Sequence, residues 1–309
     1  MDKSPHKSSR VYVNGIHLHY LDWGGTGDVI LFLAGLGCNA HNFDDLAPRF
    51  TDTFHAMALT RRGHGESDHP ETGYDIDTLT EDIRQFLDEL GIQKVILAGH
   101  SMAGVELSRF SALHPERVLK LIFLDAAYDR NSALYKNMVE ESPFRRIQAP
   151  GLDVDYYSPE EYFAAIKKAF PSFTPIWTEA MAEQSMHTIT KTPEGKIVDR
   201  MSDDIAKALR DTLANYVPDD ARIKAPTLAF YALSKGIYSI SNEWMTDEQK
   251  AEILSHVETR ENIWTRKSID QFRQNVPHAR IVEIPQGHHY CFIKHEDLVY
   301  EEIRRFLLG

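Results

Sequence analysis

The chain has 309 residues, of which 42% are hydrophobic and 26% charged, the composition of an ordinary globular protein with room for a sizeable core. Its 34 basic and 46 acidic residues give a formal net charge of -12, which argues against nucleic acid or an anionic membrane as a partner. Two cysteines, Cys38 and Cys291, lack the spacing of a metal site, and we expect free thiols.

The first ten residues, MDKSPHKSSR, are polar and lack the apolar centre of a signal peptide. No stretch approaches the roughly 18 apolar residues of a membrane span. We therefore expect a cytoplasmic protein with no membrane partner, in which residues 1–10 form a disordered tail.

Strand patterns begin at residue 11, where VYV and IHLHYLD flank Asn14-Gly15, the strongest short signal for a hairpin. The apolar run VILFL follows and ends in the loop at residues 34–39. A further strand, HAMAL, leads into the loop RRGHGES. Apolar strands alternating with helical patterns predict an α/β fold, with a mostly parallel sheet covered by helices on both faces.

The next stretch, KVILAGHSMAGVELSRFSALH, runs from Lys94 to His114 and organises the chain. Its continuous apolar run predicts a strand buried on both faces, and the small-residue turn after it leads into a helix that Pro115 ends. Ser101 lies at the tip of the turn, where the N-terminal N–H groups of the helix would surround a nucleophile.

The alternation of strands and helices stops after VLKLIFLDAA and returns at PTLAFYAL. Between them, prolines separate helical pieces such as PEEYFAAIKKAF, and we find no clear strand. We therefore predict a core formed by residues 11–128 and 222–309, with a helical lid inserted at residues 129–221 over the carboxyl edge of the sheet.

Four features in this order resemble the α/β-hydrolase family over nearly the whole chain: the hairpin followed by FLAGLG, RRGHGES, GHSMAG, and PQGHHYCF before a last helix. The resemblance implies a Ser-acid-His triad with Ser101 as nucleophile, and no metal or cofactor. It implies His288 as general base, because His288 directly follows the glycine of its loop, with His289 as the competing candidate. Other histidines, including His41 and His100, are expected to have surface or packing roles.

The resemblance also implies an oxyanion hole formed by the backbone N–H groups of Leu36 and Met102. The chain departs from the family pattern at Ala34, where a histidine is usual, and at Thr60, where many relatives have aspartate. Asn39 is a candidate to clamp the loop instead, or an ordinary turn residue.

The triad acid is the least regular part of the pattern. Relatives commonly place it after the strand that here reads PTLAFYAL, but that loop has no carboxylate before Glu243 and Asp247. Certain haloalkane dehalogenases instead supply the acid at the end of the strand that follows the nucleophile helix. In this chain Asp125 directly follows the last apolar residue of that strand. We therefore predict Asp125 as the acid, with Asp129 as a weaker candidate; the alternative is that Asp125 only caps its strand.

Aromatic residues are frequent in the lid, and we expect some of them, Tyr157, Phe163 and Trp177 among them, to bind substrate. The predicted function is hydrolysis of a small, largely apolar carboxylic ester through an acyl-enzyme on Ser101, by a monomer or a homodimer. The alternatives are a carbon–carbon bond hydrolase or cofactor-free perhydrolase with the same triad, and a relative that binds ligands without catalysis.

Overall fold

A computed structural model describes residues 5–147, 149, 151, 154–240 and 244–309. Its strands are β1 (Lys7–Val13), β2 (Ile16–Gly24), β3 (Val29–Leu33), β4 (His55–Leu59), β5 (Val95–His100), β6 (Val118–Leu124), β7 (Ile189–Lys191), β8 (Ile197–Asp199), β9 (Thr227–Ala232) and β10 (Arg280–Ile284). Its α-helices are α1 (Ile76–Glu89), α2 (Ala103–Leu113), α3 (Ala133–Glu140), α4 (Pro159–Ala169), α5 (Glu179–Met186), α6 (Asp203–Asn215), α7 (Asp247–His256), α8 (Asn262–Asn275), α9 (Cys291–Lys294) and α10 (Glu296–Leu308). Short helical turns occur at Ala40–Phe43, Ala47–Phe50, Pro115–Arg117, Pro143–Arg145, Pro171–Ile176, Asp220–Arg222, Lys235–Ile240 and Val257–Glu261.

Eight strands form one sheet in the order β1-β2-β4-β3-β5-β6-β9-β10. β2 pairs antiparallel with both β1 and β4, and the remaining pairs are parallel. Successive residues of each strand point to opposite faces, so Leu31 joins one buried apolar cluster and Phe32 the other. Helices cover both clusters, with Phe110 of α2 on the first face and Ile303 of α10 on the second. The predicted α/β class with a mostly parallel sheet is confirmed.

The N-terminal hairpin forms at the predicted dipeptide. Val13 pairs with Ile16, and the two residues between them have positive φ angles, 49° at Asn14 and 80° at Gly15. Asparagine and glycine tolerate this left-handed conformation better than other residues. The predicted disordered tail is too long, because residues 7–10 already belong to β1; residues 1–4 lie outside the described part of the chain.

The chain leaves the main sheet after Leu124 and rejoins it at Thr227. In the described part of this insertion, the helices α3 to α6 are accompanied by β7 and β8, which pair with each other as a separate two-stranded sheet. The expectation of no strand here is therefore wrong. Three-residue strands leave too short an alternating pattern to be detected in a sequence. Among the residues that the structure describes, none of the helices is both long and apolar enough to cross a membrane.

Candidate active site

Ser101 occupies a sharp turn between β5 and α2. Its φ angle is 55°, a left-handed conformation that is strained for a serine and typical of a nucleophile held at a strand-to-helix turn. The turn is closely packed: a Cβ atom on Gly104 would lie 2.0 Å from the carbonyl oxygen of Ala126, and one on Gly99 would lie 2.9 Å from the Cβ atom of Ala103. Ala103 fits where the family pattern has glycine because Gly99 leaves the space for its methyl group.

The loop after β3 turns tightly beside Ser101. The N–H of Cys38 donates to the carbonyl of Gly35 at 3.2 Å, and Gly37 has a φ angle of 77°. These are features of a type II turn, in which the N–H of the second residue, Leu36, takes no part in the turn's own hydrogen bond. Among the described residues, neither the N–H of Leu36 nor that of Met102 donates to a backbone carbonyl, so both are available to a ligand.

Arg61 anchors the loop after β3 at Ala34, the position where the expected pattern has a histidine. Its Nη2 donates to the carbonyl oxygen of Ala34 at 2.9 Å, and its Nε donates to Glu106 at 2.7 Å. All three residues are buried. Asn39, the other candidate anchor, instead reaches the insertion: its side-chain amide donates to the carbonyl of Gln184 at 2.9 Å.

Asp125 directly follows β6 and is fully buried, with a φ angle of 49°. Its Oδ1 accepts hydrogen bonds from the hydroxyl of Tyr128 and from the N–H of Ala232, the latter at 3.0 Å. Its Oδ2 lies 2.6 Å from Nδ1 of His289. Burial acts to raise the pKa of Asp125, but the charge of Lys235 and the hydrogen bonds from His289 and Tyr128 hold it well below its ordinary value. The carboxylate is therefore ionised and can orient an imidazole.

The two adjacent histidines point to different partners. His288 has Nε2 at 2.8 Å from the carbonyl oxygen of Ser172 in the insertion, while its Nδ1 accepts from the N–H of Tyr290 at 3.0 Å. Both ring nitrogens of His288 are thus engaged, and burial lowers its pKa to about 4. The geometry contradicts the choice of His288 and favours His289, whose ring contacts Asp125.

His289 also lies against the strand that carries Ser101. Its carbonyl oxygen accepts a hydrogen bond from Nε2 of His100 at 3.1 Å, and the two imidazole rings are 4.6 Å apart. His100 directly precedes Ser101, so the same turn supports both the serine and the histidine loop. His100 is itself buried, which keeps its pKa well below the ordinary value and suits it to packing rather than proton transfer.

The loop after β9, where relatives commonly have the acid, carries a cation instead. Nζ of Lys235 lies 3.5 Å from Oδ2 of Asp125, donates to the hydroxyl of Tyr128 at 3.1 Å, and sits 5.4 Å from the centre of the Trp264 ring. Of the other candidates for the acid, Asp247 is exposed and Glu243 lies outside the described residues. Lys235 and Tyr128 were not predicted; their only sequence signal is proximity to the ends of two neighbouring strands.

A cavity of about 260 Å³ lies between residues 36–38 of the loop after β3 and the insertion. Its wall is mostly apolar and aromatic, with a few polar groups. It is lined by Leu36, Gly37, Cys38, Tyr162, Phe163, Ile166, Phe170, Phe173, Trp177, Met181, Gln184, Ser185, Thr188, Asp199 and Tyr290. The structure therefore places Phe163 and Trp177 at this cavity. Tyr157 is not part of its lining and its side chain is 56% exposed, so the expectation that it contacts substrate is not supported.

Part of the amino-acid sequence is similar to known proteins. A family model described as the alpha/beta hydrolase fold matches residues 28–152. A 2-(acetamidomethylene)succinate hydrolase from Mesorhizobium japonicum is 34% identical over 118 residues, which are 38% of this chain and 42% of that protein. A non-heme chloroperoxidase from Kitasatospora aureofaciens is 35% identical over 102 residues, 33% of this chain and 37% of that protein. The match thus spans less than half of each relative.

Similarity at the level of structure covers nearly the whole chain. The crystal structure of E-2-(acetamidomethylene)succinate hydrolase superposes with a TM-score of 0.75, covering 98% of this chain and 100% of that one at 20% sequence identity. At this identity a structural match establishes the fold and leaves the reaction open. The sheet order, the turn at Ser101 and the matched family model agree, and the chain therefore has the α/β-hydrolase fold.

Proposed function

We propose that this protein is a serine hydrolase that cleaves a small, largely apolar carboxylic ester, with Ser101 as nucleophile, His289 as general base and Asp125 as the acid of the triad. The observation that carries the proposal is the 2.6 Å contact between Oδ2 of Asp125 and Nδ1 of His289, on a loop bonded to the residue before Ser101. Nucleophile, base and orienting acid are the three parts that this chemistry requires.

The hydrogen bond to Asp125 defines the task of each ring nitrogen. When Nδ1–H of His289 donates to the carboxylate, Nε2 keeps its lone pair and can take the hydroxyl proton of Ser101. The serine oxygen then attacks the ester carbonyl, and the N–H groups of Leu36 and Met102 stabilise the negative oxygen that develops. The imidazolium returns its proton to the leaving alcohol. Water attacks the acyl-enzyme by the same route and releases the acid.

The aromatic cavity supports a small apolar acyl or alcohol group as the part of the substrate held by the insertion. Ligand sites are mostly apolar with a few polar groups that fix orientation, and a volume of about 260 Å³ suits a small molecule. Polar side chains in the lining, Gln184, Ser185, Thr188 and Asp199, can select among substrates. On this proposal the insertion is a lid that provides the apolar wall.

A panel of p-nitrophenyl esters of increasing acyl length, combined with a fluorophosphonate probe, tests the function. We expect turnover that is best for short to medium acyl groups, one covalent label per chain on Ser101, and loss of both in Ser101→Ala. Full esterase activity in Ser101→Ala would refute the assignment. Peracid formation from acetate and hydrogen peroxide, without ester turnover, would favour a perhydrolase, and tight ligand binding without turnover would favour a non-catalytic relative.

Shortening a cavity residue tests the role of the insertion. We expect Phe163→Ala to raise KM for a medium-chain ester about tenfold with kcat little changed, because losing part of an apolar contact removes about 1.5 kcal/mol of binding shared by substrate and transition state. Tyr157→Ala is the matched control, since its ring is exposed outside the cavity lining, and its KM should equal that of the wild type. Equal KM values for the wild type, Phe163→Ala and Tyr157→Ala would show that Phe163 does not bind substrate and would leave the insertion with a structural role.

A further inference from the structure

A group of histidines packs beside the short helix Ala40–Phe43, away from the residues assigned to the triad. The ring of His41 stacks on that of His187 at 4.2 Å and meets that of His6 edge-on at 5.2 Å, while the ring of His19 is stacked at 6.1 Å. These residues come from the N-terminal segment, β2, the loop region after β3 and the end of α5. Four separate parts of the chain, including the insertion, therefore meet at one point.

Asp44 supplies a carboxylate to this group. Its Oδ2 lies 2.8 Å from Nδ1 of His41, and its Oδ1 lies 3.6 Å from Nδ1 of His6. One donor atom from each of the three residues can be chosen so that all lie within 4.8 Å of one another. Ligands at about 2.0–2.1 Å from a tetrahedral metal ion are about 3.4 Å apart, so small side-chain rotations would bring these donors into position.

Burial makes the arrangement unlike a surface cluster. The side chains of His6, His41 and Asp44 are 6%, 3% and 4% exposed. Buried charged groups are paired or coordinate metal ions, and one divalent ion could bind the carboxylate and both imidazoles together. Glu66 and Glu183, which contact His187 at 3.1 and 3.3 Å, add negative charge next to the group.

We propose that His6, His41 and Asp44 bind one divalent first-row transition metal ion, and that zinc suits the site best. Imidazole and carboxylate donors both suit zinc, and three protein ligands leave the fourth position to water. The role is structural: the ion would tie the N-terminal segment to the loop region after β3, which also contains Leu36. It takes no part in the proposed hydrolysis, so this site and the function of Ser101 are independent proposals.

Zinc chloride titrated by calorimetry into tag-free protein, stripped of metal with EDTA, tests the site directly. We expect one zinc ion per chain and a melting temperature that rises with zinc concentration, because a ligand that binds only the folded state stabilises it. Cobalt(II) in place of zinc should give visible absorption bands from a site with nitrogen and oxygen ligands. In His6→Gln we expect zinc affinity to fall at least tenfold and the rise in melting temperature to shrink.

His17→Gln is the matched control, because His17 is an exposed histidine on the neighbouring strand, paired with Asp68, and its loss should leave zinc binding unchanged. Asp44→Asn should weaken zinc binding more than His6→Gln does. If that variant does not fold, His6→Gln still decides the matter, since residue 6 precedes β1 and lies outside the sheet. Absence of zinc uptake by the wild type, or wild-type affinity in His6→Gln, would overturn the proposal.

Discussion

Replacing His289 with alanine is expected to lower kcat for p-nitrophenyl esters by about five to six orders of magnitude, the loss typical of removing the base from a serine triad. Without an imidazole against Asp125, nothing takes the proton of Ser101, and a neutral serine hydroxyl is a poor nucleophile. Steady-state kinetics on a short-chain ester measure the effect. Fluorophosphonate labelling of Ser101 should slow in parallel, because it requires the same activated hydroxyl.

His288→Ala separates the two adjacent histidines. The imidazole of His288 contacts the insertion through the carbonyl of Ser172 and not the proposed triad, so we expect kcat of the variant to stay within about tenfold of the wild type. Its loss should affect stability and KM more than chemistry. If His288→Ala, with a native circular dichroism spectrum, lost as much kcat as His289→Ala, the assignment of the base would have to be reversed.

Asp125→Asn is expected to lower kcat by about four orders of magnitude while preserving the fold. The amide oxygen of asparagine can still accept from the N–H of Ala232, so the local structure survives. The amide nitrogen would then face Nδ1 of His289, and as a donor it favours the imidazole tautomer whose Nε2 already carries a proton. That tautomer cannot accept the proton of Ser101. Kinetics together with thermal unfolding measure both parts of the prediction.

Asp247→Asn serves as the control for this variant. Asp247 follows the strand after which relatives commonly have the acid, but here it is exposed in the first turn of α7. We expect its kcat to equal that of the wild type. Near-normal kcat in Asp125→Asn, or a large loss of kcat in Asp247→Asn, would indicate that the triad acid follows β9 rather than β6.

The parts of the molecule that sequence predicts are those with local causes. The continuous run VILA predicts β5. Asn14-Gly15 predicts the hairpin turn between β1 and β2, because few other residues accept two positive φ angles in succession. The choice between His288 and His289 has no local cause. Adjacent side chains on a loop point to different sides, and the path of the loop depends on distant contacts with Ser172 and Asp125.

The insertion shows the same limit. Its helices follow from periodicity, but the exposure of Tyr157 and the cavity contact of Phe163 depend on how those helices pack onto the sheet. The composition of the insertion predicts that aromatic rings line a substrate cavity, but it does not identify which of the rings do so. The lysine beside the acid was missed for a related reason, since neighbours in the sheet are set by strand order rather than by sequence distance.

In the proposed reaction, Lys235, whose Nζ lies 3.5 Å from Oδ2 of Asp125, contributes to the charge balance. With a neutral His289, ammonium and carboxylate cancel, so the resting cluster carries no net charge. Attack by Ser101 creates an imidazolium and an oxyanion together, and the sum remains zero. The ammonium also weakens the pull of the carboxylate on the imidazolium, because the two positive charges repel at short range. In the proposed mechanism, proton return from the imidazolium to the leaving alcohol is thereby favoured.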